Sequence, residues 1–182
     1  MARCVLYGYQ PDIKAMTVQP TPTELNPTDA EYMRQANRWA MTARQRGNRP
    51  FGAVVVSGAG EVLMEAHCNT TETGDCTGHA ETNAVRQLSP KVSREVLVTS
   101  TLYSSAEPCV MCAGAIFWSG IGRVIFGFDA VRLRVFRGEV AGQKDAELSC
   151  RDVFDASPQP IECIGPVMLD ECSAPHIGFW KT

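Results

Sequence analysis

The chain has 182 residues, 45% hydrophobic and 20% charged, with a formal net charge of −3. Those values fit one soluble globular domain and exclude a collagen-like or disordered polymer. An acidic balance also argues against a nucleic-acid partner, because phosphate binding rests on clustered cations. The two local groups, Arg44, Arg46 and Arg49, then Arg132, Arg134 and Arg137, read as solvated faces.

Residues 1–27 carry Pro11, Pro20, Pro22 and Pro27 without a helical or strand period, and read as an irregular arm. Met16 within it offers a second initiation point. Thr28-Asp29-Ala30-Glu31 reads as a capping box opening a helix to about Arg46, with Met33, Ala36, Ala40 and Ala43 on one face. Gly47 and Pro50 stop it. Phe51 to Val56 and Glu61 to Cys68 flank Ser57-Gly58-Ala59-Gly60 as a hairpin. A polar loop covers 69–78, and His79 to Leu88 reads as a helix ended by Pro90. Thr99 to Ser104 is a strand, Cys109 to Trp118 a helix and Val124 to Phe128 a strand. Residues 129–160 give no clear pattern; Ile161 to Ile164 is a last strand, and Leu169 to Trp180 a terminal helix interrupted by Pro175. The alternation predicts an α/β layered domain around one central sheet.

Cys109 to Phe128 is nearly all apolar or small, yet Ser119-Gly120-Ile121-Gly122-Arg123 breaks it, so a buried helix turning into a buried strand is expected and no membrane span. The first residues, with Arg3, Asp12 and Lys14, lack the apolar core of a secretory signal. A cytoplasmic location is therefore expected, with the eight cysteines reduced. Only Cys109 and Cys112 have a metal-ligand spacing; Cys76, three residues before His79, is the other one of interest.

The strongest signal is His79-Ala80-Glu81 followed by Pro108-Cys109-Val110-Met111-Cys112. Thiolates at i and i+3 on the first turn of a helix face one side, where the helix N-terminus favours negative charge. His79, at the start of another helix, completes three protein ligands for Zn2+ and leaves a fourth position for water, the arrangement of a catalytic rather than a structural zinc. Glu81 is placed to take a proton from that water without binding the metal. This H-x-E…P-C-x-x-C pattern is the signature of zinc nucleobase deaminases.

Residues 51–128 resemble the cytidine deaminase-like superfamily, in particular its guanine deaminase and tRNA adenosine deaminase branch. The matching text is Pro50-Phe51-Gly52-Ala53-Val54-Val55-Val56, His79-Ala80-Glu81-Thr82-Asn83-Ala84, Leu102-Tyr103, and Glu107-Pro108-Cys109-Val110-Met111-Cys112-Ala113-Gly114-Ala115-Ile116. The resemblance implies a three-layer α/β/α sandwich around a five-stranded mixed sheet, spanning 28–182 as the deaminase domain. It implies zinc on His79, Cys109 and Cys112, proton transfer by Glu81, and substrate hydrogen bonds from Asn69 and the Ala80 N–H. It also implies a homodimer.

For the substrate, Phe51, Trp118 after the C-x-x-C helix, and Trp180 near the end resemble the pocket aromatics of guanine deaminases. A free nucleobase or nucleoside is therefore expected, with guanine or a related aminopurine first. Gly127-Phe128-Asp129 resembles the acidic segment of those enzymes, placed earlier along the chain. Cytosine or another aminoheterocycle, tRNA adenosine, and an inactive partner subunit of the same fold are the alternatives. The absence of a basic C-terminal helix argues against tRNA.

Overall fold

Helix α1 (Pro27–Gln45) starts earlier than its Thr-x-x-Glu text suggests. Asn26 is the N-cap, its Oδ1 accepting from the Asp29 N–H at 2.8 Å, and Pro27 takes the first helical position, where no N–H is needed. The expected capping box at Thr28 is thus displaced by an Asn-Pro start, and Glu31 pairs with Arg38 at 3.0 Å rather than reaching back. The expected arm of 1–27 therefore gives up its last residue to α1. The computed structural model describes residues 25–138 and 148–180; residues 1–24 of the arm lie outside them.

The five-stranded sheet has the order β2-β1-β3-β4-β5. β1 (Gly52–Val56) pairs antiparallel with β2 (Val62–His67) and with β3 (Thr101–Ala106). β4 (Arg123–Phe128) and β5 (Glu162–Ile164) continue parallel to β3. Alternation along the strands separates two buried layers. Val55, Leu102, Val124 and Phe126 face α3 (Ala80–Leu88) and α5 (Val110–Ser119). Val54, Val56, Tyr103, Ile125 and Phe128 face α1 and α8 (Leu169–Ser173). This is the expected α/β/α sandwich on a mixed sheet. Gly52 makes the α1 side possible: a Cβ there would stand 2.2 Å from the Ala36 carbonyl oxygen and 2.5 Å from the Ala40 nitrogen.

Four short helices have no counterpart in the sequence reading: α2 (Thr70–Thr73), α4 (Arg94–Val98), α6 (Ala130–Arg137) and α7 (Cys150–Asp155). The terminal helix is shorter than expected; α8 ends at Ser173 and a 3-10 turn, Ala174–His176, follows with Pro175 inside it. Among the described residues no helix is long and apolar enough to cross a membrane.

The register Gly52↔His67, Ala53↔Ser104 and Ala106↔Phe128 brings the start of β1 and the ends of β2, β3 and β4 to one edge of the sandwich. The loops leaving that edge carry Asn69, His79, Cys109 and Asp129.

Candidate metal centre and active site

His79 is the N-cap of α3 and Cys109 the N-cap of α5, each with extended backbone; Cys112 sits one turn into α5. Packing of α3 against α5 over Ala84, Ala113 and Ile116 sets the two helix starts side by side. His79 Nδ1 lies 3.5 Å from Cys109 Sγ and 3.6 Å from Cys112 Sγ. Ligand atoms of all three residues fall within 4.8 Å of one another. Cys112 is buried and Cys109 exposed, so the cluster is closed behind and open toward solvent.

The protonation chemistry of the trio fits a metal. A hydrogen bond from Cys112 brings the Cys109 thiol down to about 4, against the opposing effect of burial and with further help from His79. The same bond, with burial and the Glu81 charge, pushes the Cys112 thiol up. Hydrogen bonding to Cys109 raises His79. The cluster therefore favours one thiolate, and a bound cation would favour the second. Two soft sulfurs and one imidazole, with an open outer side, suit Zn2+ with a vacant coordination position.

Glu81 is 5% exposed and fixed from two sides. Ser104 Oγ donates to Oε1 at 2.8 Å, and Cys112 Sγ donates to Oε2 at 3.4 Å. Burial, and then the negative charge of Cys109, raise its carboxyl above the ordinary range, opposed by the Ser104 hydrogen bond. A carboxyl so placed beside a metal cluster is suited to carry a proton.

Asn69 lies at the end of the loop after β2. Its Oδ1 accepts from Asn83 Nδ2 at 2.9 Å, which orients the amide and leaves Nδ2 without a partner among the described residues. Gly78 is required beside it, because a Cβ there would come 2.3 Å from Asn69 Oδ1. Ala80 is the first residue of α3, so its N–H has no intrahelical acceptor. Phe51 packs on His176 at 5.2 Å and on Trp180 at 6.2 Å between ring centroids, at the same sheet edge. Phe51 and Trp180 are therefore brought together.

Trp118 is not. It stands at the far end of α5 from Cys109 and Cys112, 79% exposed, over a shallow hollow lined by Val85, Ser89, Val92 and Leu97. It does not share a slot with Phe51 within one chain. Asp129 caps α6, accepting from the Arg132 N–H at 2.7 Å and pairing with the Arg132 guanidinium. Cys76 is exposed and outside the ligand cluster.

Three residues of this region carry no signal in the sequence pattern. Ser104 looks like any strand serine until β3 is seen to face Glu81. Asn48, fully buried, accepts from the Thr71 and Glu72 N–H groups at 3.1 and 3.0 Å and anchors the helix after Asn69. His176, 1% exposed, sits between Phe51 and Phe128.

A mixed sheet sandwiched by helices, with a His-Cys-Cys cluster open to solvent and a buried glutamate beside it, defines a hydrolase-type zinc enzyme of the α/β/α class. The family model described as the cytidine and deoxycytidylate deaminase zinc-binding region matches residues 26–128, and the chain belongs to that family. A probable cytosine deaminase of Schizosaccharomyces pombe is 42% identical over 158 residues, covering 87% of this chain and 96% of the relative. A tRNA-specific adenosine deaminase of Haemophilus influenzae is 40% identical over 99 residues, 54% of this chain and 57% of that one. A guanine deaminase of Bacillus subtilis is 43% identical over 70 residues, 38% of this chain and 44% of the relative. Among solved structures, a guanine deaminase from Nitrosomonas europaea superposes with a TM-score of 0.69 at 20% identity, covering 90% of each chain, which shows the shared fold.

Proposed function

We infer that the protein hydrolytically deaminates a free aminated nucleobase, with cytosine as its first substrate. The likeness to the fission-yeast protein carries this reading, because it covers 87% of this chain and 96% of the relative rather than the ligand motifs alone. The geometry supports it by what it leaves apart. A purine slot needs two flat walls, and Trp118 is not available within the chain to face Phe51.

The reaction exchanges an exocyclic amine for a carbonyl oxygen: water adds to the amine-bearing carbon, and ammonia leaves. Zinc held by His79, Cys109 and Cys112 supplies Lewis acidity that activates water near neutral pH. Glu81 accepts a proton from the attacking water, passes one to the ring nitrogen, and later protonates the departing amine. Ser104 holds Oε1 through this exchange, and Oε2 faces the metal ligand Cys112. Asn69 Nδ2 and the Ala80 N–H, both without acceptors among the described residues, hold the base's carbonyl edge. Phe51, backed by His176 and Trp180, covers its ring and excludes water.

A second reading, guanine, is favoured by the Bacillus subtilis relative and by the width a partner chain would add. Val110 and Trp118 leave apolar surface on the outer side of α5, which supports a homodimer as the assembly. The test is ammonia release from cytosine, guanine, adenine and their nucleosides, with and without chelator. Cytosine as the fastest, chelator-sensitive substrate is the expected result. Faster turnover of guanine would overturn the pyrimidine assignment, and no release from any base would overturn the reading itself.

A further inference from the structure

Glu107 lies two residues before the exposed ligand Cys109, and its contacts are unlike those of any other carboxylate near the cluster. Its backbone N–H donates to the Phe128 carbonyl at 2.8 Å, joining the end of β3 to the end of β4. Its Oε2 accepts from the Ala130 N–H at 3.0 Å, the first amide of α6. Its Oε1 accepts from Ser149 Oγ at 2.6 Å and from the Cys150 N–H at 3.3 Å, the cap and first amide of α7. One side chain therefore ties the start of two helices to the turn that enters α5. Amides at helix starts have no intrahelical acceptors, so the carboxylate satisfies groups that would otherwise be orphaned.

The three ligands are not held alike. His79 caps the start of α3, its carbonyl accepting from the Asn83 N–H at 2.8 Å, and Cys112 is buried within α5 by packing. Cys109 is also a helix cap, its carbonyl accepting from the Ala113 N–H at 2.8 Å, but it is the exposed one of the three ligands. Its position depends on the turn Ala106–Cys109. That turn is anchored by the Glu107 backbone and side chain, with only the buried and rotationally restricted Pro108 between anchor and ligand.

We propose that Glu107 is a positioning residue for the metal centre: by locking the β3–α5 turn against the starts of α6 and α7, it holds Cys109 in ligand position. The inference rests on the zinc centre and not on which base is deaminated. Loss of supporting contacts to a metal ligand typically costs about 10–100-fold in metal affinity or activity.

The experiment measures the rate at which zinc passes from the zinc-loaded full chain to an excess of chromogenic chelator. Glu107→Ala is expected to release zinc roughly tenfold or more faster than wild type. Glu107→Gln, which keeps one carbonyl acceptor, should fall between the two. Ser149→Ala removes one contact without touching the ligand loop, and should speed release by a few-fold, roughly what one hydrogen bond commands; it keeps the test alive if Glu107→Ala fails to fold. Asp29→Asn, at the start of α1, is the control: it should lower thermal stability and leave zinc release unchanged. If the Glu107 and Ser149 variants release zinc at the wild-type rate, or no faster than Asp29→Asn at equal loss of stability, the proposal is overturned and Glu107 is a structural cap only. A wild-type chain that holds zinc but deaminates no base sinks the substrate reading alone, and the release rates still decide this one.

Discussion

Ser104 Oγ donates to Glu81 Oε1 at 2.8 Å, so a strand residue buried in the sheet holds the carboxylate proposed to carry the proton. The bond crosses from β3 to α3, while Oε2 is contacted by Cys112 Sγ at 3.4 Å. The Ser104 bond also opposes the effect of burial, which raises the Glu81 carboxyl.

Glu81→Gln should retain zinc and lose turnover, since the amide keeps its size but cannot carry a proton. General acid–base groups contribute about 10²–10⁴-fold, and a fall of that order in kcat is expected, measured beside metal content. Ser104→Ala should act more mildly, lowering kcat about fivefold for one hydrogen bond worth roughly 1 kcal/mol. A Glu81→Gln protein with near-normal kcat would remove Glu81 from the mechanism.

Purified protein should carry one zinc per chain, because His79, Cys109 and Cys112 form the one ligand cluster among the described residues. Cys112→Ser should abolish tight binding. Its sulfur is buried and also contacts Thr82 Oγ1 at 3.3 Å, a site shaped for a thiolate. Chelation of the wild type should lower its Tm, as loss of a native-state ligand must. Elemental analysis and a thermal melt with and without chelator check both statements.

Asp29 binds Arg123 through two hydrogen bonds, at 3.0 and 2.9 Å, and accepts from the Tyr103 hydroxyl at 2.5 Å. Burial would raise its carboxyl, but the Arg123 guanidinium and the Tyr103 hydroxyl override that and hold it below the ordinary range. A lowered folded-state value means stability present above the unfolded value, near 3.8, and lost as pH falls through the lower folded value. Asp29→Asn should therefore destabilise the protein by about 2–3 kcal/mol at neutral pH. The deficit relative to wild type should shrink below about pH 4. Denaturant melts at pH 7 and pH 3.5 measure it; an equal deficit at both would exclude a charge-based role.

The elements that place the metal ligands were legible because each has a local cause. His79 and Cys109 stand at helix starts marked by turn residues and by Pro108, and β1 and β4 are largely apolar runs. Ser104, Asn48 and Glu107 were not legible, because their roles arise only when β3, α2, α6 and α7 meet at one edge of the sheet. The helix cap was misplaced for a local reason: Asn26-Pro27 competes with Thr28-x-x-Glu31, and the proline at the first helical position decides it. Trp118 was read as a pocket wall from its text alone, while helix geometry carries it six residues beyond Cys112, roughly 9 Å along the axis and away from the ligands.

The C-terminal segment should set affinity for the base. Trp180 Nε1 donates to His176 Nδ1 at 3.1 Å, the two rings stack at 14°, and both lie against Phe51. Burial, then the charges of Arg137 and Arg44, bring His176 down to about 3, with the Pro50 carbonyl opposing. His176 is thus neutral at working pH, and its Nδ1 can accept. The unfolded imidazole takes up a proton below about 6.5, so this contribution to stability is full above that pH and declines as pH falls toward the folded value. Each aromatic contact is worth about 0.5–1.5 kcal/mol, so ending the chain at Ile177 should raise KM for the base about tenfold while zinc content stays whole. Trp180→Phe keeps the stack and loses the N–H, and should cost about fivefold. Both variants belong in the same base panel. A wall made of Phe51 and Trp180 without Trp118 covers one ring, so the truncation should weaken cytosine strongly and leave any residual purine turnover little changed. An unchanged KM for cytosine in the truncated chain would detach this segment from the site. A selective loss of guanine turnover would instead return the substrate assignment to the purine.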